Sequence, residues 1–155
     1  MDARLNYMDS VAGKRAATHI ISAGRAIKES SLPATIHNLV EIRASQLNGC
    51  AACIDMHTKE AAAAGETPVR LNMVAAWREA TVFTEAERAA LELTEQGTRL
   101  APGGVTDQAW ADAAAHYDEE QLGALVAAIA VINSFNRMNV ITRQPGGDYQ
   151  LGQWG

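Results

Sequence analysis

Apolar residues recur every three or four positions along almost the whole chain. Strict alternation is missing from every useful window, and β-branched residues do not gather between turn signals. A stripe with that period is buried by a helix and scattered by a strand, so the chain reads as all-α, with about six to seven helices. Aromatic residues make up only 5% of the composition against 48% hydrophobic residues, so these helices must pack through Ala, Leu, Val, Ile and Met. With 155 residues, a single domain over 1–155 is the simplest organisation, long enough to bury about two thirds of its unfolded surface.

Local signals divide the pattern. A first helix is expected from about Ser10 to Ser30. Pro33 is expected in the first turn of a second, which runs through "ATIHNLVEIRASQL" until Gly49 interrupts it. The pattern resumes through Ala64 and stops at Gly65. Thr67 and Pro68 open a short helix to Trp77, and "TEAE" (84–87) fits a capping box that starts a helix to about Leu100. Thr106 and Asp107 open the next, to about Tyr117, and Asp118 with Gln121 opens a long apolar helix to about Thr142. Trp77, Phe83 and Trp110 are expected to be packing residues. Residues 143–155, rich in breakers, are expected as an extended tail whose Tyr149 and Trp154 are available to anchor on a partner subunit.

The net charge is −5 and no Lys/Arg cluster is present, which argues against nucleic acid and anionic membrane surfaces as partners. The N-terminus does not read as a signal peptide, and the longest apolar run, "LGALVAAIAVI" (122–132), is shorter than a bilayer span. A cytoplasmic protein is the expectation. In that compartment cysteines are kept as thiols, so a close pair points to catalysis or metal more than to a structural staple.

Both cysteines fall in "NGCAACIDMHTKEA" (48–61). On a helix Cys50 and Cys53 are neighbours across one turn, and His57 lies a turn further along the same stripe. Gly49 puts Cys50 near a helix start, where free amides and the helix dipole favour a thiolate. The spacing also allows the pair to close into a disulfide after one sulfur is oxidised. His57 supplies an imidazole able to act as proton acceptor and donor. Either Asn38 or Glu41, which share a face of the preceding helix, is placed to point back at the pair, and a carboxylate at Glu41 would orient the imidazole. Two rivals remain: plain burial in an alanine-rich helix, and a Cys/Cys/His zinc site completed by a fourth ligand such as His37 or a neighbouring subunit. Proximity to the helix start favours Cys50 as the attacking thiol, whereas proximity to His57 favours Cys53.

The stretch "RASQLNGCAACIDMHT" (43–58) resembles the core motif of the carboxymuconolactone decarboxylase superfamily, in particular its AhpD-like alkylhydroperoxidase branch. Weaker similarity runs from "RLNYM" (4–8) through "AWREATVFTEAERAAL" (76–91) to "IAVINSFNRMNV" (129–140). The resemblance implies a compact helical domain with the CxxC at the start of a core helix, assembled as a trimer, dimer or hexamer. It implies a peroxiredoxin-type alkylhydroperoxide reductase in which Cys53 meets a small organic hydroperoxide, Cys50 completes the disulfide and His57 relays protons. It implies that no tightly bound cofactor is needed and that electrons come from an external thiol reductant, with a lipoyl-bearing protein as one candidate. The family's relay glutamate stands at the position of Asn38, which cannot carry a proton, so Glu41 must replace it or turnover is weak. A thiol-disulfide reductase or redox sensor with little peroxide turnover is the related alternative.

Overall fold

In the computed structural model, which describes residues 2–100 and 102–153, helix starts coincide with side chains able to cap them. Ser10 caps α1 (Val11–Lys28), Thr67 caps α4 (Pro68–Met73) and Thr106 caps α6 (Asp107–Ala114), each oxygen accepting an orphan amide of the first turn. Thr84 with Glu87, and Asp118 with Gln121, form reciprocal capping boxes that open α5 (Glu85–Arg99) and α7 (Glu119–Thr142). The other two helices begin differently. Pro33 lies just outside α2 (Ala34–Asn48), as its uncapped N-cap and not within the first turn. Cys50 starts α3 (Ala51–Ala63) with a sulfur in place of an oxygen. Short 3-10 turns at Tyr7–Asp9 and Val74–Ala76 complete the all-α architecture, and the second of them replaces the last part of the helix expected to reach Trp77.

α2 is the central element and packs against α7, α5 and α3. One face contributes Ile36, Val40 and Ala44 to a core shared with Leu93, Leu125, Ile129 and Ile132. The opposite face places Leu39 and Ile42 against Val74, Trp77, Phe83 and Leu91. A helix buried on two sides explains why "ATIHNLVEIRASQL" carries apolar residues around most of its circumference. Trp77 and Phe83 are packing residues, but Trp110 is 46% exposed, against the expectation from sequence. By length and hydropathy α7 would pass as a membrane span, yet its Leu125, Ala128, Ile129 and Ile132 belong to the α2 core.

Polar residues set the register between these helices. Arg43 of α2 donates to Glu95 of α5 (Nε to Oε1, 2.8 Å), and Trp77 Nε1 reaches the same oxygen at 2.8 Å. Asn48 donates to Asn133 and Asn136 of α7 at 2.9 Å each, and Asn136 donates to Ser45 Oγ at 3.0 Å. Groups this buried are costly unless paired, so they favour one alignment of α2 with its neighbours over any slipped one. The Arg43, Ser45 and Asn48 of the motif thus fix α2, the helix that leads into the cysteine turn, against α5 and α7.

The chain after α7 returns along α3. The Asp55 carboxylate accepts the amides of Gly147 (2.7 Å) and Tyr149 (2.9 Å), while Lys59 donates to the Tyr149 carbonyl at 2.9 Å. Tyr149 is buried on its own chain, its hydroxyl donating to Glu60. Trp154 lies outside the described residues. Gly146 passes so close to the start of α3 that a Cβ there would stand 2.4 Å from the Ala51 carbonyl oxygen. That contact lies on the peptide between the two cysteines.

Candidate active site

The turn from α2 into α3 is set by Gly49. With φ +65° it adopts a left-handed conformation that side-chained residues disfavour, and the amide of Cys50 bonds back to the Ser45 carbonyl at 3.0 Å. This reversal stops α2 and leaves Cys50 as N-cap of α3, its Sγ 3.4 Å from the backbone N–H of Cys53. Cys50 and Cys53 are joined as a disulfide, with Cα atoms 5.3 Å apart. Both are enclosed, at 1% and 2% exposure.

Of the two candidates on α2, the structure brings Glu41 to the imidazole. Its Oε2 lies 3.1 Å from His57 Nδ1, and its Oε1 lies 3.5 Å from His37 Nε2. Asn38 is half-buried and makes no side-chain hydrogen bond among the described residues. Burial alone would push the Glu41 carboxyl upward, but the charge and hydrogen bond of His57, reinforced by His37, outweigh it and hold the group below the usual carboxylate range. His37 is pulled the other way: burial lowers its pKa and Glu41 only partly offsets this, so at neutral pH it is an uncharged neighbour. A carboxylate on Nδ1 fixes the tautomer of neutral His57, leaving Nε2 as the basic nitrogen. The imidazole is thereby prepared to accept a proton, with Glu41 to balance the resulting charge.

One further residue reaches the cysteines and a second supports it, and neither was legible as a site residue in the sequence. Asn139 of α7 places Nδ2 3.3 Å from Cys53 Sγ, and Tyr7, from the N-terminal 3-10 turn, donates its hydroxyl to Asn139 Oδ1 at 3.0 Å. The available signal was the run Asn133, Asn136, Asn139, three amides at three-residue spacing just after the apolar stretch of α7. Such a stripe must find polar partners when buried.

Among the described residues no group of three or more His, Cys, Asp or Glu is arranged to hold a metal ion. A groove of about 580 Å³, lined by Trp77, Arg88, Gln96 and Asp112, lies on α5 and α6 away from the cysteines.

YdfG, an uncharacterized protein of Bacillus subtilis, is 45% identical to this chain over 113 residues, 73% of this chain and 77% of its own length. The crystal structure of ATU0492 from Agrobacterium tumefaciens matches with a TM-score of 0.89 at 33% identity, covering 96% of this chain and all (100%) of that one. That protein is of unknown function, with the antioxidant defence protein AhpD as its suggested identity. The debrominase Bmp8, solved with 2,3,4-tribromopyrrole, shares the fold at a TM-score of 0.71 and 19% identity, over 82% of this chain and 68% of its own. The carboxymuconolactone decarboxylase family profile matches residues 15–96, which span both cysteines and the whole Glu41–His57 pair, and the chain belongs to that family.

Proposed function

We propose that this protein is a thiol-dependent peroxidase that reduces small organic hydroperoxides by cycling Cys50 and Cys53 between dithiol and disulfide. The observation that carries the reading is a disulfide-forming pair at a helix start, followed one turn later by a histidine whose Nδ1 is held by a buried carboxylate. In the reduced protein His57 takes the Cys53 proton, and the thiolate attacks the terminal oxygen of the hydroperoxide. The O–O bond breaks, the alcohol leaves with a proton returned by His57, and Cys53 becomes a sulfenic acid. Cys50 then attacks that sulfur, and water departs as the disulfide forms. Two equivalents of an external thiol, or one dithiol such as a lipoyl group, restore both thiols and leave as a disulfide. The reading includes a homo-oligomer, supported by apolar side chains on the outer surface of α7.

The near-complete enclosure of both sulfurs favours a second reading, a slow thiol-disulfide reductase or redox sensor in the same family. One experiment separates the two. Fully reduced protein is mixed with stoichiometric cumene hydroperoxide, and free thiols and intact mass are followed in time. Loss of both thiols within seconds to minutes, with a mass decrease of about 2 Da per chain, is the expected result. Thiols that survive for hours would end the peroxidase reading. Cys50→Ser is expected to trap a sulfenic acid on Cys53, and Cys53→Ser to form none; the reverse pattern would exchange the roles of the two cysteines.

A further inference from the structure

The two sulfurs differ in what donates to them. Cys50 Sγ receives the backbone amide of Cys53 at 3.4 Å, a contact built into the helix start. Cys53 Sγ receives a side chain from another element, Asn139 Nδ2 of α7, at 3.3 Å. A sulfur in a disulfide carries no hydrogen and can only accept, so the amide must turn its N–H₂ toward Cys53 and its oxygen toward Tyr7. The Tyr7 hydroxyl, 3.0 Å from that oxygen, locks the orientation. Burial raises the Tyr7 phenol pKa, so it keeps its proton and remains a donor. Tyr7 is itself fastened: the Arg4 amide bonds to the Thr142 carbonyl at 2.8 Å and Gln144 Nε2 to the Leu5 carbonyl at 2.8 Å, clamping the N-terminal segment over the end of α7.

We propose that Asn139 is a catalytic residue of this site, its side-chain amide donating to the Cys53 sulfur to stabilise the thiolate, with Tyr7 as the positioning residue that aims the amide. A neutral donor suits the task. It favours the charged form of sulfur without adding a cation that would hold the thiolate in a tight ion pair. It also gives Cys53 an advantage over Cys50 that does not depend on the helix start. The inference deepens the thiol-redox reading above and rests on it for its meaning, but its measurement does not require peroxide turnover.

The ionisable groups on the elements packed around Cys53 are Asp55, His57, Lys59 and Glu60 on α3, His37, Glu41 and Arg43 on α2, Arg137 in the C-terminal half of α7 with Arg143 as its C-cap, and Asp2, Arg4, Tyr7 and Asp9 in the N-terminal segment. All but Tyr7 are unchanged in every variant below, so differences between variants report the amide and its aim. In a Cys50→Ser background, which leaves one thiol, the thiolate absorbance and the iodoacetamide alkylation rate of Cys53 are titrated against pH in the full chain. Asn139→Ala is expected to raise the Cys53 pKa by about one unit and to lower the alkylation rate at neutral pH by about tenfold. Tyr7→Phe is expected to move both in the same direction by less. Asn139→Asp, nearly isosteric, places a carboxylate against the sulfur and is expected to raise the pKa further, and it serves if the alanine variant does not fold. A Cys53 pKa unchanged in a folded Asn139 variant, or lowered by Asn139→Asp, would overturn the proposal. A shifted pKa in a protein that hydroperoxide leaves reduced would uphold the role of Asn139 while removing the peroxidase reading.

Discussion

Glu41 carries the greatest electrostatic load of any single side chain near the cysteines. It is enclosed and ionised, and it faces two imidazoles. Because its folded pKa lies below its unfolded value of about 4.3, its contribution to stability is full above that value and is lost as pH falls through the depressed folded pKa. Glu41→Gln keeps the shape but removes the charge. The variant is expected to be less stable than wild type by about 1–3 kcal/mol near neutral pH, with the difference shrinking below about pH 4. Urea unfolding at a series of pH values reads this directly; a gap unchanged down to pH 3 would mean that Glu41 is not the charged partner of His57. Asn38 makes no comparable side-chain contact among the described residues, and the carboxylate that reaches His57 stands three residues later.

At the scale of elements, the segment after α7 is a strap on the outer side of α3. Asp55 is its main anchor, and the Lys59 hydrogen bond, followed by the Tyr149 and Gly147 amides, holds its carboxyl below the ordinary aspartate range. This anchor is therefore in place above a pH of about 3.9 and weakens as pH falls further. Removing it by Asp55→Ala is expected to free the Gly147 and Tyr149 amides, raising their hydrogen-exchange rates, while amides of the α2 core keep theirs. Since Gly146 lies against the peptide between the cysteines, the same variant is expected to let a small phosphine reduce the disulfide faster. Unchanged exchange at both amides would mean that Lys59 and the Tyr149–Glu60 contact hold the strap without Asp55.

At the scale of the whole molecule, burial is unequal. α2 is enclosed on nearly every side, whereas α1 buries only Ala17 and Ile27, and Val126, Val140 and Ile141 of α7 remain open at 46%, 42% and 67% exposure. Apolar positions of this kind on adjoining helices are what a symmetric interface between copies covers. Light scattering at micromolar concentration is expected to give a multiple of the 16.5 kDa chain mass, and the monomer mass would refute the oligomer.

The helices and the cysteine turn were legible in the sequence because their causes are local. A 3.6-residue stripe, a capping box at Thr84, and a glycine at 49 able to turn left-handed all act within a few residues of themselves. The neighbourhood of Cys50, Cys53 and His57 on one helix followed from spacing alone. What surrounds them did not, because those contacts join residues far apart in the chain: Asn139 meets Cys53 across 86 positions, and Tyr7 meets Asn139 across 132. Their meeting depends on how α7 crosses α3 and where the N-terminal segment ends, which are outcomes of packing. The choice of Glu41 over Asn38 is of the same kind, since the two are neighbours on one helix face and only the docked position of α3 decides which of them it meets.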